Sequence, residues 1–148
     1  MKYPKEKCED YEWVNSTYCD LMPQILSSPD PNTALASLEA WRRKLFFITS
    51  AIFDTLSSGL HGYLIGPNGE DFEHAFNTAV EIGATDFAGS LSSLRKLFPE
   101  SHIPSNEEEI FFATDEILKK KEINRLDDLI EITIDGDIWK RIRSLQRS

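Results

Sequence analysis

The sequence predicts an all-α fold, a single domain in which about six to seven helices surround one long central helix. Three observations support this prediction. Apolar residues recur at steps of three and four over long stretches, which is the period of a helix with one buried face. Residues that start and stop helices separate these stretches. A chain of 148 residues, of which 41% are apolar, can also bury an ordinary hydrophobic core.

The first two helices are predicted in the N-terminal part of the chain. Residues 6–28 fit a helix that Pro23 breaks. Cap residues then precede a run of apolar residues at helical spacing, which predicts the central helix over 33–57, ended by Gly59. We expect six of the apolar side chains to lie in the core, namely Trp41, Leu45, Ile48, Ile52, Phe76 and Leu94.

Two shorter helices are predicted in the middle of the chain. Several glycines mark residues 62–69 as a loop. A helix over 72–82 follows, and Gly83 is its expected stop. Thr85 is the expected cap of the next helix, which extends over 85–98 and ends before a proline.

In the C-terminal part of the chain, one element fits either a helix or a strand. Ser105 and Glu108 are three positions apart and fit the capping box of a further helix. Residues 123–134 fit a helix or, because apolar residues alternate near their end, a short strand. The helix is favoured because a lone strand would have no pairing partner in this sequence. A turn at 135–137 then leads to a final amphipathic helix from Ile138.

Charge is unevenly distributed along the chain. The net charge at pH 7 is −9, and residues 67–118 hold eleven acidic residues against two basic ones. Residues 119–148 are mildly basic, with eight Lys or Arg against six Asp or Glu. An acidic segment of this kind repels nucleic acid and attracts basic surfaces. We therefore expect a basic protein as partner, and no direct binding to nucleic acid.

The N-terminal sequence and the cysteines predict a cytoplasmic protein. Acidic residues stand where a signal peptide needs its apolar stretch. No apolar run approaches the ~20 residues of a membrane span, so no membrane partner is expected. Cys8 and Cys19 match no metal or redox spacing, which favours reduced thiols.

No catalytic motif is recognisable, so we expect neither enzymatic activity nor a cofactor. The nucleophile elbow, the phosphate-binding loop and the calcium loop all lack their defining residues. One alternative is a small metal-dependent enzyme, because Asp71, Glu73 and His74 place two carboxylates and an imidazole on one helix. Such a site needs further ligands from facing helices, and no second motif of this spacing occurs. We therefore predict no metal site.

The acidic segment contains a candidate partner-binding surface. On one interpretation, Glu107, Glu108 and Glu109 only stabilise the helix dipole and keep the protein soluble. On the other, they belong to a row of carboxylates that imitates the phosphates of DNA, because helix positions three or four apart lie about 5–6 Å from each other. The second interpretation selects nine residues: Glu70, Asp71, Glu73, Glu100, Glu107, Glu108, Glu109, Asp115 and Glu116.

Three stretches of the chain resemble one known family. Residues 57–63 read Ser-Ser-Gly-Leu-His-Gly-Tyr, residues 73–99 hold two helices joined at an Ile-Gly-Ala turn, and residues 126–129 read Leu-Asp-Asp-Leu. In this order they resemble the bacterial DNA-mimic protein family. The resemblance implies an all-α fold that is often dimeric. In one studied type of member, an acidic surface is presented to a DNA-binding protein in place of DNA.

These observations lead to one functional hypothesis and one closely related alternative. The protein is expected to be a non-enzymatic binding module whose acidic surface engages a DNA-binding regulator, a nuclease or another basic protein. A toxin-immunity protein that blocks a cognate toxin is the alternative, because the resemblance also implies related domains among toxin-immunity genes. A homodimer is a further expectation from the resemblance.

Overall fold

A computed structural model of the protein describes residues 8–117, 122–134 and 137–147. These residues form eight α-helices, three short 3₁₀-helices and no strand, which confirms the all-α, single-domain prediction. No helix among them is both long and apolar enough to span a membrane. The helices are α1 (Glu9–Leu26), α2 (Pro31–Ala36), α3 (Ala40–Ile65), α4 (Phe72–Glu81), α5 (Thr85–Arg95), α6 (Glu107–Ile117), α7 (Glu122–Ile134) and α8 (Ile138–Arg143).

The longest helix, α3, lies at the centre of the fold. It contacts α1, α4, α6, α7 and α8. Residues 45–52 of α3 are all buried, as expected for a helix that other elements surround. The predicted burial of Leu45, Ile48 and Ile52 is therefore confirmed, and Leu94 of α5 is buried as well.

Two aromatic residues predicted in the core, Trp41 and Phe76, are only half-buried. The ring of Trp41 stacks on Trp13 with 6.1 Å between centroids, and the guanidinium of Arg42 lies 5.1 Å from its centre. The guanidinium of Arg95 lies 4.2 Å from the ring centre of Phe76. Each ring thus sits at the edge of the core, where a cation rather than an apolar side chain covers part of it.

The helix predicted over 33–57 is interrupted at residues 37–39, so the described part of the chain has one more helix than expected. The guanidinium Nη1 of Arg43 donates to the carbonyl of Ala36 at 3.4 Å and to that of Leu38 at 3.2 Å. The last carbonyls of a helix have no N–H partner within the helix, so other groups must donate to them. A side chain of α3 therefore stabilises the end of α2.

The sequence predicts that Gly59 ends the central helix, but α3 continues past it to Ile65. The backbone at Gly59 has φ 73° and ψ 175°, which kinks the helix. Beyond the kink, the N–H of Leu60 donates to Oδ1 of Asp127 on α7 at 2.8 Å. This carboxylate acts as a cap for the second part of the helix. The predicted loop is accordingly shorter than 62–69, because Gly62 is helical.

The first helix continues through Pro23, contrary to the predicted break. Helix α1 begins at Glu9, and position 6 lies outside the described residues. Leu21 and Ile25, on either side of the proline, are both buried. Burial of this continuous apolar face offsets the cost of about 3 kcal/mol that a proline imposes inside a helix.

The turn between α4 and α5 matches the prediction except at its cap. Gly83 follows α4 with φ 74°, as a helix stop does. Nη1 of Arg141 donates to the carbonyl of Ile82 at 3.3 Å and so binds the end of α4 to α8. Thr85 is the first residue of α5 and not its cap, because Ala84 occupies the cap position. The hydroxyl of Thr85 donates to the carbonyl of Gly83 at 3.3 Å.

The element left open by the sequence is helix α7. Its buried residues are three and four positions apart, namely Ile123, Leu126, Ile130 and Ile134. This is the helical period, and it places one apolar face against α3 and α5. The final helix begins at Ile138 as predicted, whereas positions 135 and 136 of the predicted turn lie outside the described residues.

Candidate partner-binding surface

The first turn of α6 is capped by Asn106. Its side-chain oxygen Oδ1 accepts the N–H of Glu108 at 2.9 Å and the N–H of Glu109 at 3.2 Å. These are the bonds of an N-cap residue. The predicted capping box with Ser105 as the cap is therefore wrong by one position, because the oxygen of Asn106 already satisfies both donors.

Glu70 reaches this helix start from a distant part of the chain. It belongs to the 3₁₀-turn Gly69–Asp71, which follows α3, and its Oε1 accepts the N–H of Glu107 at 3.1 Å. The contact joins residues that are 37 positions apart. Four of the nine predicted surface residues thus come together and are all exposed, namely Glu70, Glu107, Glu108 and Glu109, which we call the acidic cluster.

A groove of about 560 Å³ lies beside the acidic cluster. Its walls include the apolar Ile65, Phe111 and Phe112 together with three residues of the cluster, Glu70, Glu107 and Glu108. The two phenylalanine rings are exposed and meet edge to face, with 5.8 Å between centroids. Helix α6 buries Ile110 and Thr114 and leaves both phenylalanines exposed, although phenylalanine is an apolar residue. Sequence reasoning therefore missed the aromatic part of this surface.

Asp115 and Glu116 extend the negative surface along α6. Both residues are exposed. They follow Glu108 and Glu109 by seven positions, which corresponds to roughly 10 Å along a helix at 1.5 Å per residue. The two predicted residues at this end of α6 therefore lie two turns away from the acidic cluster on the same helix.

The remaining predicted residues do not join this surface. Glu73 pairs with Arg95, whose Nη2 lies 3.3 Å from Oε2 of the carboxylate. Asp71 is half-buried, and this burial raises the pKa of its carboxyl, an effect that nearby His74 opposes and nearby Glu70 reinforces. Glu100 is exposed but belongs to the turn Pro99–Ser101, at a left-handed backbone position with φ 58°.

The residues of the metal-enzyme alternative are not arranged around one point. The ring of His74 stacks on Phe47 of α3, with 4.6 Å between centroids and 13° between planes. Glu73 is engaged with Arg95 of α5 in the ion pair described above. Among the described residues, no group of three or more His, Cys, Asp or Glu side chains lies close enough to hold a metal ion.

The fold and the surface define this protein as a helical bundle with one exposed, acidic and partly aromatic face. Comparisons with protein-family models, with curated proteins and with solved structures give no match. The resemblance to the bacterial DNA-mimic proteins therefore stays a prediction from the sequence motifs. Two of those motifs meet in the structure at the bond between Leu60 and Asp127, where they hold the kink of α3.

Proposed function

We propose that the protein is a non-enzymatic binding module whose acidic cluster engages the basic surface of another protein, such as a DNA-binding regulator, a nuclease or a toxin. The supporting observation is that carboxylates gather at the start of α6 and that no cation among the described residues neutralises them. None of the ion pairs formed between described residues involves the acidic cluster. A partner with Lys or Arg side chains can therefore provide the opposite charge.

Other acidic residues of the protein form ion pairs within the described part of the chain, unlike those of the acidic cluster. Glu81 lies 2.8 Å from Nζ of Lys44, and Asp10 lies 3.2 Å from Nη1 of Arg143. An exposed pair such as that of Glu81 and Lys44 contributes only about 0–1 kcal/mol to stability. Unpaired exposed carboxylates on one helix turn, by contrast, concentrate a negative field that speeds association with a basic surface and selects against acidic ones.

The helix dipole favours all four carboxylates of the acidic cluster, including that of Glu70, but it provides no cation to neutralise them. Acidic residues in a first helical turn stabilise the helix by about 0.3–1 kcal/mol each. Glu70 is not part of α6, yet the chain folds so that its carboxylate joins the start of this helix. The fold thus adds a fourth negative charge to three that already repel each other.

The proposal is tested by reversing charge at two places in the protein. The first variant is Glu107→Lys, Glu108→Lys and Glu109→Lys. The control is Glu12→Lys, Asp20→Lys and Asp86→Lys, three exposed acidic residues outside the acidic cluster, so the net charge changes equally. Each variant is immobilised, and proteins captured from a lysate of the producing cells are compared at low and high salt, with the melting temperature recorded.

We expect wild type and control to retain the same partner at low salt and the first variant to lose it. Binding should weaken as salt is raised, because exposed charges are screened within about 10 Å at 0.1 M ionic strength. If both variants lose the partner equally, only the overall charge matters. If neither loses it, the acidic cluster serves solubility, and the proposal is wrong.

A further inference from the structure

The groove beside the acidic cluster exposes two large apolar side chains that nothing in the described structure covers. Phe111 is 55% exposed and Phe112 is 64% exposed. Phenylalanine is normally among the more buried residue types, and exposed apolar patches with a polar rim mark interaction sites. Helix α6 is held in the fold by buried Ile110 and Thr114, so the two rings are not needed for its packing.

The groove is open to solvent and large enough for side chains of a binding partner. Its volume is about 560 Å³. Ile65, at the end of α3, provides an apolar wall from a second helix. The apolar lining thus comes from two helices, and the two phenylalanine rings of α6 are in edge-to-face contact.

The rim of the groove sets the charge of its occupant. Glu70, Glu107 and Glu108 line it, and the carboxylate of Glu70 is held in place because it accepts the N–H of Glu107 at the start of α6. A membrane surface with anionic lipids would be repelled by this rim. A second copy of the chain, related by a two-fold axis, would bring the same three carboxylates face to face.

We propose that this groove holds a basic amphipathic segment of a partner protein. Its apolar side chains lie on Phe111, Phe112 and Ile65, and its Lys or Arg side chains bind the carboxylates of the rim. An amphipathic helix that lays its apolar face into a groove is a common form of peptide recognition. The inference rests on the proposed function and adds an apolar anchor to what would otherwise be a purely electrostatic contact.

Three synthetic peptides test the inference directly. The first is an amphipathic helix of Leu and Lys, the second is a scrambled peptide of the same composition, and the third is an oligolysine of the same charge. Affinities are measured by isothermal titration for wild type and for Phe111→Ser with Phe112→Ser. The matched control is Val80→Ser with Leu26→Ser, since these residues are 57% and 64% exposed elsewhere on the surface.

We expect wild type and control to bind the amphipathic peptide at least about tenfold more tightly than the scrambled one. The phenylalanine variant should lose this preference while it still binds oligolysine. The inference is overturned if wild type binds the amphipathic and scrambled peptides equally, or if the phenylalanine variant keeps the preference. It is also overturned if wild type is a dimer in light scattering and the phenylalanine variant is a monomer, since a second copy would then occupy the groove.

The charge-reversal variant of residues 107–109 separates the two proposals. If it loses oligolysine binding while the phenylalanine variant behaves as wild type toward all peptides, the acidic cluster binds a basic partner and the groove does not. If wild type binds none of the three peptides, the inference about the groove fails, while capture of the partner from lysate still decides the proposed function. Melting temperatures of all variants show whether each remains folded, as expected for substitutions at exposed positions.

Discussion

The backbone at Gly59 requires glycine. With φ 73° and ψ 175°, it lies in a region that other residues essentially do not occupy, and a Cβ would meet Oδ2 of Asp127 at 3.3 Å. Gly59→Ala should therefore lower the free energy of unfolding by about 1–3 kcal/mol. Urea unfolding followed by circular dichroism measures this change.

A second glycine provides the control for this prediction. Gly89 lies inside α5, and a Cβ there would meet nothing within 4 Å. Gly89→Ala should stabilise the protein by about 0.5–1 kcal/mol, because alanine is the better helix former. If Gly59→Ala also stabilises the protein, the helix is not kinked as described.

Asp54 makes the stability of the protein depend on pH. Burial raises the pKa of its carboxyl, while the hydrogen bond from Nδ2 of Asn68 to Oδ2, at 2.9 Å, lowers it by a smaller amount. The folded pKa therefore exceeds the unfolded value of about 3.9. Protonation of Asp54 contributes stability that is fully present below about pH 4 and is lost as the pH rises through the folded pKa.

We expect Asp54→Asn, which cannot ionise, to lose less stability than wild type between acidic and neutral pH. The measurement is the urea midpoint of both proteins across this interval. If Asp54→Asn follows the wild-type curve at every pH, the carboxyl of Asp54 is not desolvated by the fold.

Side-chain burial could be predicted from the sequence where the helical period is strong. Leu45, Ile48 and Ile52 are buried as their spacing indicates. Trp41 and Phe76 have the same spacing but lie under arginine side chains at the edge of the core. The helical period predicts on which side of its helix a side chain lies, but it does not predict which other residues cover that side chain.

At the scale of the element, α6 allows a direct comparison of two cap residues. Asn106→Ala should lower the free energy of unfolding by about 1 kcal/mol, because Oδ1 of Asn106 accepts two N–H groups of the first turn. Ser105→Ala should change it by less than about 0.5 kcal/mol, as substitutions at exposed positions usually do. Thermal or urea unfolding of both variants gives the comparison, and the reverse order of effects would restore the capping box predicted from the sequence.

Helix types were more predictable than helix ends, for a physical reason. The helical period of α7 was present in its sequence, and the structure confirms the helix. The ends of α2 and the continuation of α3 depend on Arg43 and Asp127, which act through tertiary contacts. Asp127 is 67 positions from the N–H that it accepts, and no local pattern reports such a contact.

At the scale of the whole molecule, the sequence predicted which segment is acidic but not which acidic residues form ion pairs. The excess of acidic residues over 67–118 is evident from composition. Glu73 and Glu81 belong to this excess, yet Arg95 and Lys44 neutralise them across helix boundaries. The three-dimensional fold determines which acidic residues form no ion pair among the described residues. It also brings Glu70 to the start of α6.

If the acidic cluster takes the place of nucleic acid on a basic protein, the two must compete for the same partner. The most direct measurement is therefore competition at fixed ionic strength. A partner held by immobilised wild-type protein is challenged with increasing duplex DNA, and the released fraction is recorded. The DNA itself should not bind the immobilised protein, because the protein has a net charge of −9 and repels the phosphate backbone. We expect duplex DNA to release the partner, and a partner that stays bound in excess DNA would contradict the proposed role.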